Sequence, residues 1–116
     1  MKKKNAISKY LTPNELKALD TLVAKINKMW RGAKFKLFGS KVTGRFDEES
    51  DIDVLVLLPC KVTREIENRI VDMVFYINLQ FGANISALIF SDEEWNNSPV
   101  SVLPIHYFIE KEGISL

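Results

Sequence analysis

The sequence has one cysteine and one histidine, and this scarcity excludes two kinds of site. Cys60 has no second cysteine with which to form an internal disulfide bond, which suits a reducing compartment, and we expect a cytoplasmic protein. A zinc centre of cysteine and histidine ligands is excluded for the same reason. Because Cys60 follows Pro59 at the end of a predicted strand, we interpret it as a packing residue rather than a nucleophile.

Long apolar runs and a strong charge of either sign are also lacking. No apolar run approaches the roughly 20 residues that a membrane-spanning helix needs, and polar residues follow the lysines at 2–4 where a signal peptide would be apolar. The net charge of +1 leads us to expect neither a membrane nor a nucleic acid as the partner. Residues 1–4 are expected to be a frayed tail, with a phosphate-binding arm as the alternative. The length of 116 residues fits one domain over 1–116.

What the sequence does contain is a regular alternation of helical and strand patterns. Thr12, Pro13 and Glu15 form the signature of a helix start with a capping box. The continuous apolar run at 54–58 is typical of a strand buried on both faces. The predicted elements are, in order, a helix from 13 to about 30, strands at 34–38 and 52–58, a helix over 64–81, a strand at 85–90, a helix from 92 to about 97 and a last helix from 99 to about 110. This order predicts an α/β fold with helices packed on a small mixed sheet of at least three strands.

Two aspartates lie at the entry of the strand at 52–58. Asp51 and Asp53 are two residues apart, so strand alternation places both carboxylates on one face, roughly 7 Å apart along the backbone. Two carboxylates beside a buried strand repel each other and are costly to desolvate unless a cation neutralises them. Because hard cations prefer carboxylate oxygens, the pair predicts a site for Mg²⁺ or Mn²⁺.

A glycine and a serine directly follow the preceding strand. Gly39 allows the backbone to approach a ligand closely, and a helix beginning at Ser40 would turn free N–H groups outward in the arrangement that binds phosphate. Lys41 and Arg45 are candidates to neutralise phosphates, with a solvated surface position as the alternative for each. If the segment 41–50 returns the chain so that the two strands lie side by side, Gly39 and Ser40 face the aspartates across one pocket.

The stretch 39–53 therefore combines Gly-Ser, ten intervening residues and Asp-Ile-Asp. A pocket made of these groups would activate a hydroxyl for attack on the α-phosphate of a nucleotide and stabilise pyrophosphate as the leaving group. The pattern resembles the nucleotidyltransferase superfamily of DNA polymerase β, and more narrowly the minimal nucleotidyltransferases, which are often encoded beside a helical HEPN partner. The order of strands and helices extends the resemblance to about 34–90.

The resemblance implies a polymerase β-like palm fold and Mg²⁺-dependent transfer of a nucleoside monophosphate, AMP from ATP, to a hydroxyl of a protein or small molecule. It implies that Gly39 and Ser40 contact the nucleotide phosphates, and that Asp51 and Asp53 are the catalytic and metal-binding residues. Some minimal members act as antitoxins that modify a tyrosine of a HEPN toxin, so the implied partner is such a helical protein. Modification of nucleic acid is a weaker alternative, against which the near-neutral charge argues.

One residue departs from the family pattern. The family commonly places a third carboxylate on the next strand, as metal ligand and base, but Ser86 occupies that place here, and a serine is not a comparable base. We interpret Asp92 and Glu93, just after that strand, as helix-start charges rather than substitute ligands. The alternative to an enzyme is therefore a weakly active or inactive binding module that neutralises or positions a helical, HEPN-type partner.

Aromatic side chains in the second half of the chain give two further predictions. We interpret Trp95, Tyr107 and Phe108 as core residues, with a partner-binding groove as the alternative. Phe75 and Tyr76 interrupt the polar side of the helix over 64–81, and one of them is expected at an interface.

Overall fold

The computed structural model describes residues 9–43 and 51–116. Its strands are β1 (Lys34–Phe38), β2 (Ile52–Leu58), β3 (Ile85–Ser91) and β4 (Ile114–Ser115). Its helices are α1 (Pro13–Met29), α2 (Ser40–Thr43), α3 (Arg64–Phe81), α4 (Asp92–Asn97) and α5 (Pro104–Glu112), with a 3₁₀ turn at Pro99–Val102. The strands form one sheet in the order β3-β2-β1-β4. The predicted α/β fold with a small mixed sheet and packed helices is confirmed.

The sheet is mixed because its strands are joined in two different ways. β1 and β2 are antiparallel, with Phe38 opposite Asp53, whereas β2 and β3 are parallel, with Asp53 opposite Ser86. A parallel pair needs a long crossover connection, which α3 supplies. The two strands lie side by side, as the sequence analysis considered, and the start of β2 lies beside the end of β1.

Both long helices begin at residues that capping chemistry favours, and α3 also ends at one. In α1, the Thr12 side chain accepts a hydrogen bond from the Glu15 N–H at 3.2 Å and the Glu15 carboxylate accepts one from the Thr12 N–H at 2.8 Å, so the capping box is complete. In α3, Thr63 caps the first turn, and Gly82 ends the helix in the left-handed conformation with φ +61°. These local signals explain why the predicted helices appear where they do.

Asn78, in the last turn of α3, fixes the start of β3. Its side-chain amide donates to the carbonyl of Ile85 at 3.1 Å and its carbonyl oxygen accepts from the Ile85 N–H at 2.8 Å. The N–H of Ile52 in turn donates to the carbonyl of Asn84 at 2.8 Å. These bonds hold the starts of β2 and β3 in register, which decides what lies next to Asp53.

The central strand β2 is buried on both faces, as its apolar sequence predicts. Alternate side chains of β2 pack against α1 and α3 in the main core. On the opposite face, Leu55 and Leu57 join a smaller cluster with Trp95 and Ile109. Across the described ranges, no helix is long and apolar enough to cross a bilayer.

The C-terminal third differs from the prediction of one helix over 99–110. The 3₁₀ turn ends at Val102 and α5 begins at Pro104, because proline has no N–H with which to continue a preceding helix. After Gly113, β4 pairs antiparallel with β1, with Ile114 opposite Leu37. β4 was not predicted, since two residues show no periodicity.

Three predictions about burial need correction. Trp95 is buried as expected, but Tyr107 and Phe108 are 57% and 55% exposed, so their interpretation as core residues is wrong. Helix α5 packs only one face on the sheet, and these two rings lie on the remainder of its surface. Cys60 is exposed rather than packed, because the turn after Pro59 leaves the sheet. The predicted tail at 1–4 lies outside the described residues.

Candidate functional site

The end of β1 brings Gly39 directly against Asp53. Gly39 has φ +84°, in the region that favours glycine. A Cβ at this position would overlap the Asp53 carboxylate and lie only 3.2 Å from its Cγ. A larger side chain would therefore both strain the backbone and displace the carboxylate. The position of the Asp53 carboxylate thus depends on a glycine at position 39.

The two aspartates lie together at the entry of β2. Asp51 immediately precedes the strand and is exposed, whereas Asp53 is half-buried. Burial raises the pKa of Asp53 above its usual value, and the nearby charge of Asp51 raises it further. A bound cation would offset both effects, since it neutralises the repulsion between the carboxylates and compensates for lost hydration.

The carboxylates of Asp51 and Asp53 suit a cation that is also coordinated by the phosphates of a substrate. Mg²⁺ is usually held through one or two carboxylates together with substrate phosphates and water, and Asp51 and Asp53 offer two. Over residues 9–43 and 51–116, no group of three or more His, Cys, Asp or Glu side chains is placed to hold a metal ion. The chemistry of the pair therefore suits a cation whose remaining ligands come from a nucleotide.

Ser86 lies beside Asp53 on the neighbouring strand and is exposed. Residues in register on adjacent strands present their side chains to the same face of the sheet, so a hydroxyl stands where a third acid would complete the cluster. Asp92 and Glu93 lie in the first turn of α4, beyond the far end of β3, which confirms their interpretation as helix-start charges. With β3 between them, roughly 20 Å separates them from Asp53, too far for a substitute ligand.

Helix α2 begins at Ser40, immediately after Gly39, which is the case that the sequence analysis considered for phosphate binding. The N–H of Val42 donates to the carbonyl of Gly39 at 3.2 Å. The first backbone N–H groups of α2 therefore come directly after Gly39, the residue that lies against the Asp53 carboxylate. The Ser40 side chain and Arg45 lie outside the described part of the chain, and their contacts with phosphate stay predictions.

Lys41 lies inside the protein rather than in solvent. Its side chain is 3% exposed, and its ammonium group lies 3.1 Å from the Glu15 carboxylate. The solvated surface position considered for Lys41 is therefore wrong, whereas its role toward phosphate stays a prediction. Sequence reasoning identified Glu15 only as a capping residue, because no local pattern relates positions so far apart in the chain.

Among the described residues, pockets lie at the end of β2 and β3 and beside β1. A cleft of about 930 Å³ lies at the far end of β2 and β3, where its lining includes Cys60 and Asp92 but neither residue of the aspartate pair. A smaller pocket of about 280 Å³, here called the α5 pocket, adjoins Gly39. The α5 pocket is lined by Phe38, Gly39, Ile105, Phe108, Ile109 and Glu112. Sequence reasoning missed it, although four of these positions share the spacing of one helix face.

The four-stranded mixed sheet with packed helices is consistent with the nucleotidyltransferase fold, and the chain belongs to this family: the nucleotidyltransferase domain matches residues 19–114. A protein of Methanocaldococcus jannaschii, provisionally named a protein adenylyltransferase, is 33% identical over 85 residues, covering 72% of this chain and 80% of that protein. No solved structure matches the chain significantly. The protein is a nucleotidyltransferase, and the resemblance to the minimal members is confirmed.

Proposed function

We propose that the protein transfers AMP from ATP to a hydroxyl of a protein or small molecule, using Mg²⁺ or Mn²⁺ held by Asp51 and Asp53. The contact between Gly39 and Asp53 carries this proposal, because it sets a backbone turn suited to phosphate against the carboxylate pair. The name of the archaeal relative supports AMP as the transferred group. A reducing, cytoplasmic setting is part of the proposal, since it would keep the exposed Cys60 as a free thiol.

The transfer forms one bond and breaks one. The acceptor oxygen bonds to the α-phosphorus, the bond between the α- and β-phosphates breaks, and pyrophosphate leaves. A bound divalent cation would neutralise charge on the phosphates. Gly39 admits the phosphates close to the backbone, and the N–H groups that begin at Ser40 orient them. Because Ser86 is not a base, we assign the acceptor proton to solvent and expect slow turnover.

Calorimetric titration with ATP tests the site without knowledge of the acceptor. We expect ATP to bind the wild-type protein in the presence of Mg²⁺ and to bind weakly without it. Asp53→Asn should lose the Mg²⁺-dependent part, because it removes one of two carboxylate ligands and its charge.

Asp92→Asn is the matched control, since it makes the same change at the other end of the neighbouring strand. It should bind ATP as the wild type does. Absence of ATP binding to the wild type at millimolar concentration, or equal loss in both variants, would contradict the proposed site.

A second candidate function, a binding module for a helical HEPN-type partner, is favoured by one surface. Val71, Phe75, Tyr76 and Leu79 are exposed on α3. One of Phe75 and Tyr76 was expected at an interface, and both are exposed, at 58% and 67%. An antitoxin role would combine AMP transfer with partner binding, because the helical partner would supply the hydroxyl that accepts AMP. If the helical protein encoded by a neighbouring gene binds Asp53→Asn as well as wild type, the binding does not depend on the catalytic site.

A further inference from the structure

The α5 pocket is built by one face of α5 and the end of β1. Ile105, Phe108, Ile109 and Glu112 follow the spacing i, i+3, i+4, i+7, which places them on one side of a helix. Ile109 is buried in the small core cluster and anchors the helix. Phe108 and Ile105 stay 55% and 43% exposed, so these two apolar side chains border an open pocket rather than a filled core.

The position of the α5 pocket relates it to the aspartate pair. Gly39 belongs to both sites. A Cβ added to Gly39 would meet the Asp53 carboxylate, and Gly39 also lines the α5 pocket. A ligand with phosphates at the pair therefore has an apolar compartment within reach. A nucleoside triphosphate has this shape, since its charged chain and its flat base are separated by one sugar.

The residues that line the α5 pocket suit the base of a nucleotide better than its phosphates. Phe38, Ile105 and Phe108 offer apolar and aromatic surface, and none of the lining residues that the structure describes is Lys or Arg. Its charged side chain, Glu112, would repel a phosphate but accept hydrogen bonds from an amino group. At about 280 Å³, the pocket lies near the lower end of the range for small-molecule sites, which suits a single base better than a bulky acceptor.

We propose that the α5 pocket binds the nucleobase of the nucleotide, with Phe108 as the aromatic surface and Glu112 accepting a hydrogen bond from the amino group of the base. This assignment rests on the proposed function and adds a specificity-determining surface to it. Adenine has the required amino group and uracil has none, so ATP is preferred over UTP.

We compare the affinities for ATP and for inorganic tripolyphosphate, both with Mg²⁺, to distinguish contacts with the base from contacts with the phosphates. Loss of one base–aromatic contact lowers affinity by about tenfold in other systems, and we expect Phe108→Ala to weaken ATP by that factor. Tripolyphosphate, which has no base, should bind Phe108→Ala and wild type equally. Since Phe108 is largely exposed, the variant is expected to fold, which its circular dichroism spectrum checks.

Tyr107→Ala is the matched control, because Tyr107 is the neighbouring aromatic residue of similar exposure and does not line the pocket. It should leave both affinities unchanged. If Phe108→Ala leaves ATP binding unchanged, or weakens ATP and tripolyphosphate equally, the base assignment is overturned while the proposed function stands. If the wild type binds neither compound, the proposed function fails and this assignment fails with it.

A comparison of ATP with UTP tests the role of Glu112. The wild type should bind ATP more tightly than UTP, and Glu112→Gln should reduce this difference because an amide is a weaker acceptor than a carboxylate. Equal affinity of the wild type for the two nucleotides would overturn the role of Glu112.

Discussion

At the scale of single residues, Gly39 just after β1, Asp53 on β2 and Ser86 on β3 occupy adjoining positions. The glycine makes room, the aspartate supplies charge, and the serine supplies a hydroxyl that neither accepts a proton readily nor binds a cation as a carboxylate does. Among the described residues, the proposed nucleotide site therefore has two carboxylates and no third one that would speed the chemistry.

Substitution of Ser86 tests whether that missing group limits the rate. Ser86→Asp places a carboxylate in register with Asp53, and a positioned base contributes about 100-fold or more to such reactions. We expect Ser86→Asp to release pyrophosphate from ATP faster by about that factor. Ser86→Asn, of nearly the same size but without a basic carboxylate, should remain at the wild-type rate. An unchanged rate in Ser86→Asp would show that position 86 does not face the acceptor.

At the scale of secondary-structure elements, the strands that build the site were predictable from local sequence. β1 and β2 have the predicted bounds because their ends are set by neighbouring residues, Gly39 after the first strand and Pro59 after the second. The alternation of the aspartates at the entry of β2 follows from strand geometry alone. The candidate metal site could therefore be proposed from the sequence.

Features that depend on contacts between distant segments were not predictable. The ion pair of Lys41 with Glu15 joins two helices separated by a strand, and β4 exists only through its pairing with β1. The exposure of Phe108 depends on which side of α5 the sheet covers, and helical periodicity does not contain that information. The α5 pocket was missed for this reason.

The Lys41–Glu15 pair fixes α2, and with it the turn at Gly39, to the start of α1. Both side chains are largely buried, at 3% and 13% exposure, so removal of either one takes a close opposite charge away from the other. In a double-mutant cycle of Lys41→Met and Glu15→Gln, urea unfolding should give a coupling free energy of about 2 kcal/mol. Lys17→Met on the exposed side of α1 is the control and should change stability by less than about 0.5 kcal/mol. Strict additivity would contradict the coupling.

At the scale of the whole molecule, Glu110 connects three elements on the face of the sheet opposite the long helices. Its carboxylate accepts a hydrogen bond from Trp95 Nε1 of α4 at 2.8 Å and another from the Lys36 ammonium of β1. The hydrogen bond from Lys36 is the main cause that lowers the pKa of Glu110, although burial acts in the opposite direction. The charged form of Glu110 therefore stabilises the fold.

Because the pKa of Glu110 is lower in the folded than in the unfolded state, its contribution is present above pH about 4.3, the usual glutamate value, and is lost as the pH falls through the folded pKa. We expect Glu110→Gln to reduce the free energy of unfolding by about 1 kcal/mol at pH 7. Urea unfolding near pH 3 should show a smaller difference from wild type. Glu93→Gln, at an exposed position, should differ little at either pH. A constant difference for Glu110→Gln at both pH values would exclude this linkage.

The short strand β4 attaches the C-terminal segment to the sheet through few backbone bonds. Ile114 pairs with Leu37, and the N–H of Leu116 donates to the carbonyl of Phe35 at 3.0 Å. Edge pairings of this size open locally at free energies well below that of global unfolding, whereas central strands open last. Amide hydrogens of the last residues should therefore exchange early while those of β2 stay protected. Since α5 leads into β4, such an opening would, under the proposed assignment, loosen the base end of the nucleotide while a cation on the carboxylate pair still holds its phosphates.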